Sequence, residues 1–179
     1  QGYALGRPYL DSIHMRFFET PTLLQGAYKS GGIESAYGID APGALRAPYS
    51  RVFGVFFNKK ENPALAKLEV RKALSIAIDR EHITTDLLGG YATPLMGPVP
   101  GGSGIIPPAL PGPLTRIADA KKLLTDAGWK YDETAGTWKN AKTKLSIDTM
   151  VIRTSNVPEL KVIATAVQAD WQSLGVPTT

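Results

Sequence analysis

The chain has 179 residues, no cysteine, 43% hydrophobic and 20% charged residues, and a formal net charge of +4. That length suits one domain or two small ones and can bury a core without staples, and the lack of cysteine excludes disulfides and thiolate metal sites. Basic residues alternate with acidic ones, as in Lys67-Leu68-Glu69 and Asp79-Arg80-Glu81; they do not gather into an aromatic-studded patch, so no nucleic-acid partner is expected.

Gln1-Gly2-Tyr3 lacks the basic start and apolar run of a signal peptide. Ile13, Met15 and Phe17 alternate as in a half-buried strand, with His14 on the solvent face. Thr20-Pro21 marks a helix start and Gly31-Gly32 its stop, giving a helix to about Lys29. Residues 33–39 suggest another short strand and residues 41–50 a loop. The run Arg51-Val52-Phe53-Gly54-Val55-Phe56-Phe57-Asn58 is apolar on both faces, which predicts a strand in the middle of a sheet. Its phenylalanines suit core packing, with ligand contact as the alternative.

Asn62-Pro63 opens a predicted helix in which Leu65, Leu68, Ala73, Ile76 and Ala77 keep an approximate helical period. Asp79 caps a second short helix that ends at Gly89-Gly90. Residues 87–115 are uncharged and long enough to span a membrane, but seven prolines break any spanning helix, so residues 91–114 are read as a Pro/Gly-rich loop. A helix over residues 118–127 closes at Gly128, and residues 129–138 form a hairpin turning at 132–136. Leu145, Ile147, Thr149 and Val151 alternate as a strand. Asn156-Val157-Pro158-Glu159 has the form of a capping box, and Leu160, Ile163, Val167, Trp171 and Leu174 share one face of the helix that follows, up to Gly175. Val176-Pro177-Thr178-Thr179 looks like the start of a strand, so a fragment is expected. Trp171 belongs to the core by its period, and Trp129 and Trp138 to a hairpin packed on its helix. Arg71, Asp79 and Arg80 are read as caps and ion pairs that hold helices.

Four segments, in order, carry a resemblance. Gly6-Arg7-Pro8-Tyr9-Leu10-Asp11 is similar to G-K-P-Y-L-D. Val70-Arg71-Lys72-Ala73-Leu74-Ser75-Ile76-Ala77-Ile78-Asp79-Arg80 is similar to V-R-x-A-L-x-x-A-I-D-R, the most specific of the four. Ala120-Lys121-Lys122-Leu123-Leu124-Thr125-Asp126-Ala127-Gly128-Trp129 is similar to A-K-x-L-L-x-x-A-G-[YW], and Gln168-Ala169-Asp170-Trp171-Gln172-Ser173-Leu174-Gly175-Val176 to Q-x-x-W-x-x-I-G-V. Together they resemble the family 5 extracellular solute-binding proteins that serve oligopeptide, dipeptide and nickel importers. Two departures stand out: Gly32-Ile33-Glu34-Ser35 replaces G-E-I-D, and Arg116-Ile117 stands where the family opens a helix with D-P.

The resemblance implies an α/β chain, a periplasmic binding protein type II-like lobe with a mixed sheet flanked by helices, incomplete here. Residues 1–47 are expected to be the end of the first lobe and residues 51–179 the first part of the second. It implies a periplasmic or extracellular receptor, membrane-associated through a transporter or lipid anchor and monomeric when whole. Such a receptor captures a short peptide between lobes and delivers it to ABC importer permease subunits. Alternatives are a receptor for a nickel chelate or oligosaccharide, and a solute sensor not coupled to transport. No cofactor is expected. The family's G-W-x-x-D segment, whose aspartate holds a peptide's amino group, has no counterpart here, so the isolated chain is expected to bind ligand weakly or not at all.

Arg153 is the leading site candidate. Dipeptide-binding members resemble this chain in carrying an arginine in this stretch, and a guanidinium can fork onto a carboxylate beside the favourable potential of a helix N-terminus at Asn156. The other reading is a solvated loop arginine. Tyr91, Met96, Pro98 and Pro100 of the Pro/Gly loop are the second candidate, as a pocket wall or as a rigid connector. His14 and His82 have no metal-ligand spacing, no nucleophile or acid–base constellation is present, and Gly101-Gly102-Ser103-Gly104 lacks the Lys-Ser/Thr of a phosphate loop. The chain is therefore expected not to be an enzyme.

Overall fold

The structure, a computed structural model, describes residues 9–39, 41, 45, 51–95, 97, 112 and 115–179. The chain divides into two compact units, Gln1–Ser50 and Arg51–Thr179.

Among the described residues of the first unit the one regular element is helix α1, Pro21–Lys29. Thr20 is extended and its Oγ1 accepts a hydrogen bond from the Leu23 N–H at 3.3 Å, while Pro21 supplies a first helical residue whose missing N–H is no loss. Gly31 follows at φ +72°, where a side chain is strained. The start and stop thus fall as the residues predict. The two strands expected on either side do not form. Residues 12–18 and 33–39 have no ladder partner among the described residues, and Met15 is 76% exposed. Alternation prepares a strand, but only a paired neighbour completes one.

The second unit holds the core. The polar side chain of Asn62 caps a 3₁₀ turn, Pro63–Ala66, its Oδ1 accepting from the Ala64 N–H at 3.1 Å. Lys67 is extended and separates this turn from helix α2, Leu68–Ala77, so the predicted continuous helix is two pieces. Arg71 Nη1 bridges the break by donating to the Leu65 and Ala66 carbonyls at 2.7 and 2.9 Å. Asp79 caps the short helix α3, Arg80–His82, through Oδ1 and the His82 N–H at 2.9 Å, and a π-helical turn, Ile83–Leu87, carries it to Gly89-Gly90.

Helix α4, Arg116–Asp126, begins two residues earlier than predicted and ends before Gly128 at φ +83°. The hairpin then forms from β1, Trp129–Asp132, and β2, Thr137–Asn140, in antiparallel register with Tyr131 opposite Trp138. Strand β3, Leu145–Ser146, adds antiparallel to β2. The alternation predicted through Val151 changes phase: Ile147 and Met150 are buried and Val151 is exposed. From Met150 the chain pairs in parallel with its own end, Met150 N–H donating to the Pro177 carbonyl at 2.8 Å and Thr179 N–H to the Met150 carbonyl at 2.9 Å. Helix α5, Pro158–Leu174, forms the crossover. Residues 176–179 are therefore paired backbone, forming a parallel bridge outside the three-stranded antiparallel sheet.

Val70, Ala73, Leu74 and Ala77 of α2 meet Ala120 and Leu124 of α4 and Val167, Trp171 and Leu174 of α5 in one apolar cluster. All three tryptophans are buried. Trp171 Nε1 donates to the Leu74 carbonyl at 3.0 Å and Trp138 Nε1 to the Leu174 carbonyl at 2.9 Å, so each indole fills volume and ties two elements. Trp129 Nε1 is buried without an acceptor among the described residues. Gly175 closes α5 at φ +88°, and a Cβ there would stand 2.6 Å from Tyr131 Cε2, so both backbone and space demand glycine.

The run 51–58 corrects the expectation of a buried central strand. It pairs with no strand among the described residues, and Phe56 is 95% exposed and Phe53 half-exposed. Only Phe57 packs inward, its ring stacked on Trp171 with centroids 6.0 Å apart.

Candidate functional site

Arg153 lies between the parallel bridge at Met150 and the start of α5. Its guanidinium Nη1 donates to Glu61 Oε2 at 3.2 Å and Oε1 at 3.5 Å. The side chains are 72% and 60% exposed, so the pair is solvated. The backbone beside Glu61 is anchored: buried Asn62 donates through Nδ2 to the Asp148 carbonyl at 3.2 Å, fastening the 58–62 turn to the segment that leads to Arg153.

The capping box predicted at Asn156 does not form. The cap of α5 is Val157, which makes no side-chain hydrogen bond, and Pro158 is the first helical residue. Proline sets this register because it fits the first helical position and forces the residue before it to be extended, as Val157 is at φ −92°, ψ 128°. Asn156 is left one position outside the helix, exposed, with no side-chain hydrogen bond to a described residue. Glu159 still stands in the first turn, where the helix dipole favours a carboxylate.

Tyr91 is about half exposed just after the Gly89-Gly90 turn, its backbone N–H donating to the Leu88 carbonyl at 3.0 Å. Met96, Pro98 and Pro100 lie outside the described residues, as do Gly6-Arg7-Pro8 and Gly101-Gly102-Ser103-Gly104. Among the described residues no three histidine or acidic side chains converge as metal ligands, and no helix is long and apolar enough to cross a membrane. His14 stands near Ser12 Oγ, and His82 pairs with Asp86 at 2.7 Å.

A second arginine cluster escaped sequence reasoning. Arg116 donates through Nε to Asp79 Oδ2 at 3.2 Å, through Nη1 to the Ala77 carbonyl at 2.6 Å, and reaches Asp170 Oδ1 with Nη2 at 3.1 Å. Asp170 Oδ2 also accepts from the Asp79 N–H at 2.8 Å. These side chains are 13–18% exposed, and they join the end of α2, the start of α4 and the middle of α5. The available signal was the departure from D-P at Arg116, which puts a cation where the family has an acid. Nearby, Arg80 donates to the Ser75 carbonyl at 2.7 Å and to Ser75 Oγ at 2.8 Å, and burial pushes its guanidinium below its usual range. Asp79 thus serves as a cap and ion-pair partner, as read from the sequence, while Arg71 and Arg80 hold their helices through carbonyl and hydroxyl acceptors in place of the expected ion pairs. Glu61 had no comparable signal, since it stands 92 residues from Arg153.

The fold itself is that of part of a type II periplasmic binding protein. The oligopeptide-binding protein AppA of Bacillus subtilis, solved with a nonapeptide, superposes with a TM-score of 0.52 at 26% identity, covering 69% of this chain and 24% of its own. NikZ of Campylobacter jejuni, solved with Ni(L-His), gives 0.51 at 25% identity, covering 66% and 23%. A Brucella ovis protein bearing the name of an ABC transporter peptide-binding protein is 30% identical over 138 residues, 71% of this chain and 26% of its own length. The profile of the bacterial extracellular solute-binding proteins, family 5 Middle, matches residues 1–179, and the chain belongs to that family. It spans about a quarter of the length of the curated relatives it matches.

Proposed function

We propose that this chain is part of the receptor of an ABC importer that captures short peptides noncovalently between two lobes, without turning them over. The carrying observation is the family match along all 179 residues. The peptide-bound neighbour from Bacillus subtilis and the name of the Brucella relative support a peptide over other solutes. On this reading residues 1–47 end the first lobe and residues 51–179 begin the second, in a periplasmic or extracellular receptor that docks on permease subunits.

Arg153 is the residue we assign to the ligand's carboxylate. A peptide entering a closing cleft loses water at its charged ends, and an unpaired charge there is costly. The solvated Arg153 side chain can supply parallel donors, and the uncapped first turn of α5 adds positive potential beside it. Asn156, free of capping, and Tyr91, exposed beside the loop, are the assigned neutral contacts, with Met96, Pro98 and Pro100 as the remaining wall.

The nickel-complex neighbour keeps a metal chelate as the second reading. Mass spectrometry of ligand released from the parent protein, purified from its source without refolding, tests both. A ladder of short-peptide masses is expected. A chelate mass in its place transfers the assignment to the second reading.

A further inference from the structure

We propose that Glu61 is an internal competitor for the ligand carboxylate, occupying the Arg153 guanidinium in the empty receptor and setting how strongly a charged C-terminus is preferred. The inference rests on the assignment of Arg153 and deepens it.

Three observations carry it. Glu61 touches Arg153 through Nη1 alone, with both of its oxygens on that one nitrogen. The Nε–Nη2 edge makes no bond to a described residue, so the fork that suits a carboxylate is open while the positive charge is already matched. The backbone that presents Glu61 is not a loose loop. Asn62 beside it is buried, donates to the Asp148 carbonyl at 3.2 Å and accepts from the Ala64 N–H at 3.1 Å, and the Asn62 N–H reaches the Asn58 carbonyl at 3.4 Å. The turn that carries Glu61 is thus pinned to the segment that leads from β3 to Arg153.

A ligand carboxylate on the open edge would share one guanidinium with the Glu61 carboxylate. Two like charges around a single counter-charge repel, and repulsion grows as cleft closure removes water. Glu61 must therefore swing away or weaken the bond. Either outcome lowers affinity for a charged C-terminus and leaves affinity for a neutral one unchanged. The carboxylate preference is then a difference between two charges, Arg153 and Glu61, not the full strength of one arginine.

The test uses the complete receptor and two probes, trialanine and trialanine amide, titrated calorimetrically into wild type, Glu61→Gln and Arg153→Ala. Glu61→Gln keeps the shape of the side chain and removes its charge. It is expected to tighten trialanine by about fivefold, the strength of a solvated ion pair, with no change for the amide and a smaller gain in high salt. Unchanged or weaker trialanine binding by Glu61→Gln, with Arg153→Ala still abolishing the acid-over-amide preference, overturns the role of Glu61 and leaves the assignment of Arg153 standing. If Arg153→Ala leaves the preference intact, or trialanine does not bind wild type, the Arg153 reading fails and this inference with it. Both residues are exposed, and unchanged thermal midpoints would show that the variants fold.

Discussion

Two arginines of this chain make the same bond in different surroundings. Arg116 meets Asp79 and Asp170 at 3.2 and 3.1 Å, and Arg153 meets Glu61 at 3.2 Å. The side chains of the first set are 13–18% exposed and also bond backbone, while those of the second are 60–72% exposed and bond only each other among the described residues. Distance is therefore no guide to role here. Around Arg116 the low-dielectric surroundings make every partner necessary, because removing one strands a charge. Around Arg153 water substitutes for any partner that leaves, so the pair can open at little cost. The same chemistry locks three helices in one place and stays available in the other.

The largest effect that would break this contrast is at Arg116. Arg116→Ala leaves two shielded carboxylates facing each other and should cost about 3 kcal/mol, read as a fall in the urea midpoint. A loss as small as that of an exposed pair would mean that water reaches the cluster. Gly175→Ala should follow at about 2 kcal/mol, since it forces a side chain into the left-handed region and against Tyr131. This marks how much the packing of α5 on the hairpin contributes apart from charge.

Double-mutant cycles sharpen the comparison directly. The Arg116–Asp170 coupling should be about 1–3 kcal/mol, and Arg153–Glu61 below about 1 kcal/mol. Equal couplings would remove the distinction between clamp and open pair. The smallest effect concerns Asp132, partly exposed in the hairpin, whose carboxyl is held below its usual range by the Lys139 ammonium and then by the Ala135 N–H. A depressed folded-state pKa stabilises above the unfolded carboxylate range and loses that contribution as pH falls through the folded value. The stability difference between wild type and Asp132→Asn should therefore be present at neutral pH and vanish in acid, as followed by thermal melts across pH.

Helix ends were the most legible part of the fold. Thr20-Pro21, Asn62-Pro63, Asp79 and Gly175 each act through atoms within a few residues of themselves, so local sequence contains the whole cause. Asn156 shows the limit of that rule, because two local signals competed and the geometry of Pro158 overrode the capping box. Strands were less legible. Residues 13–17 and 51–58 have the alternation or apolar content of strands yet find no partner among the described residues, while residues 176–179, four residues with little pattern, are paired to Met150 across a whole helix.

The site divides the same way. That Arg153 precedes a helix follows from the sequence, as do the buried period of α5 and the cap at Asp79. Sequence alone determined where most helices lie, the caps at Thr20, Asn62 and Asp79, and the family, since these depend on short-range geometry and on motifs read in order. Only the tertiary structure decided that Glu61 faces Arg153, that Arg116 joins two aspartates, and that the chain's end lies beside Met150. Those contacts link residues tens of positions apart, and nothing in the local chemistry of either partner specifies the other until the core around Trp171 brings their elements together.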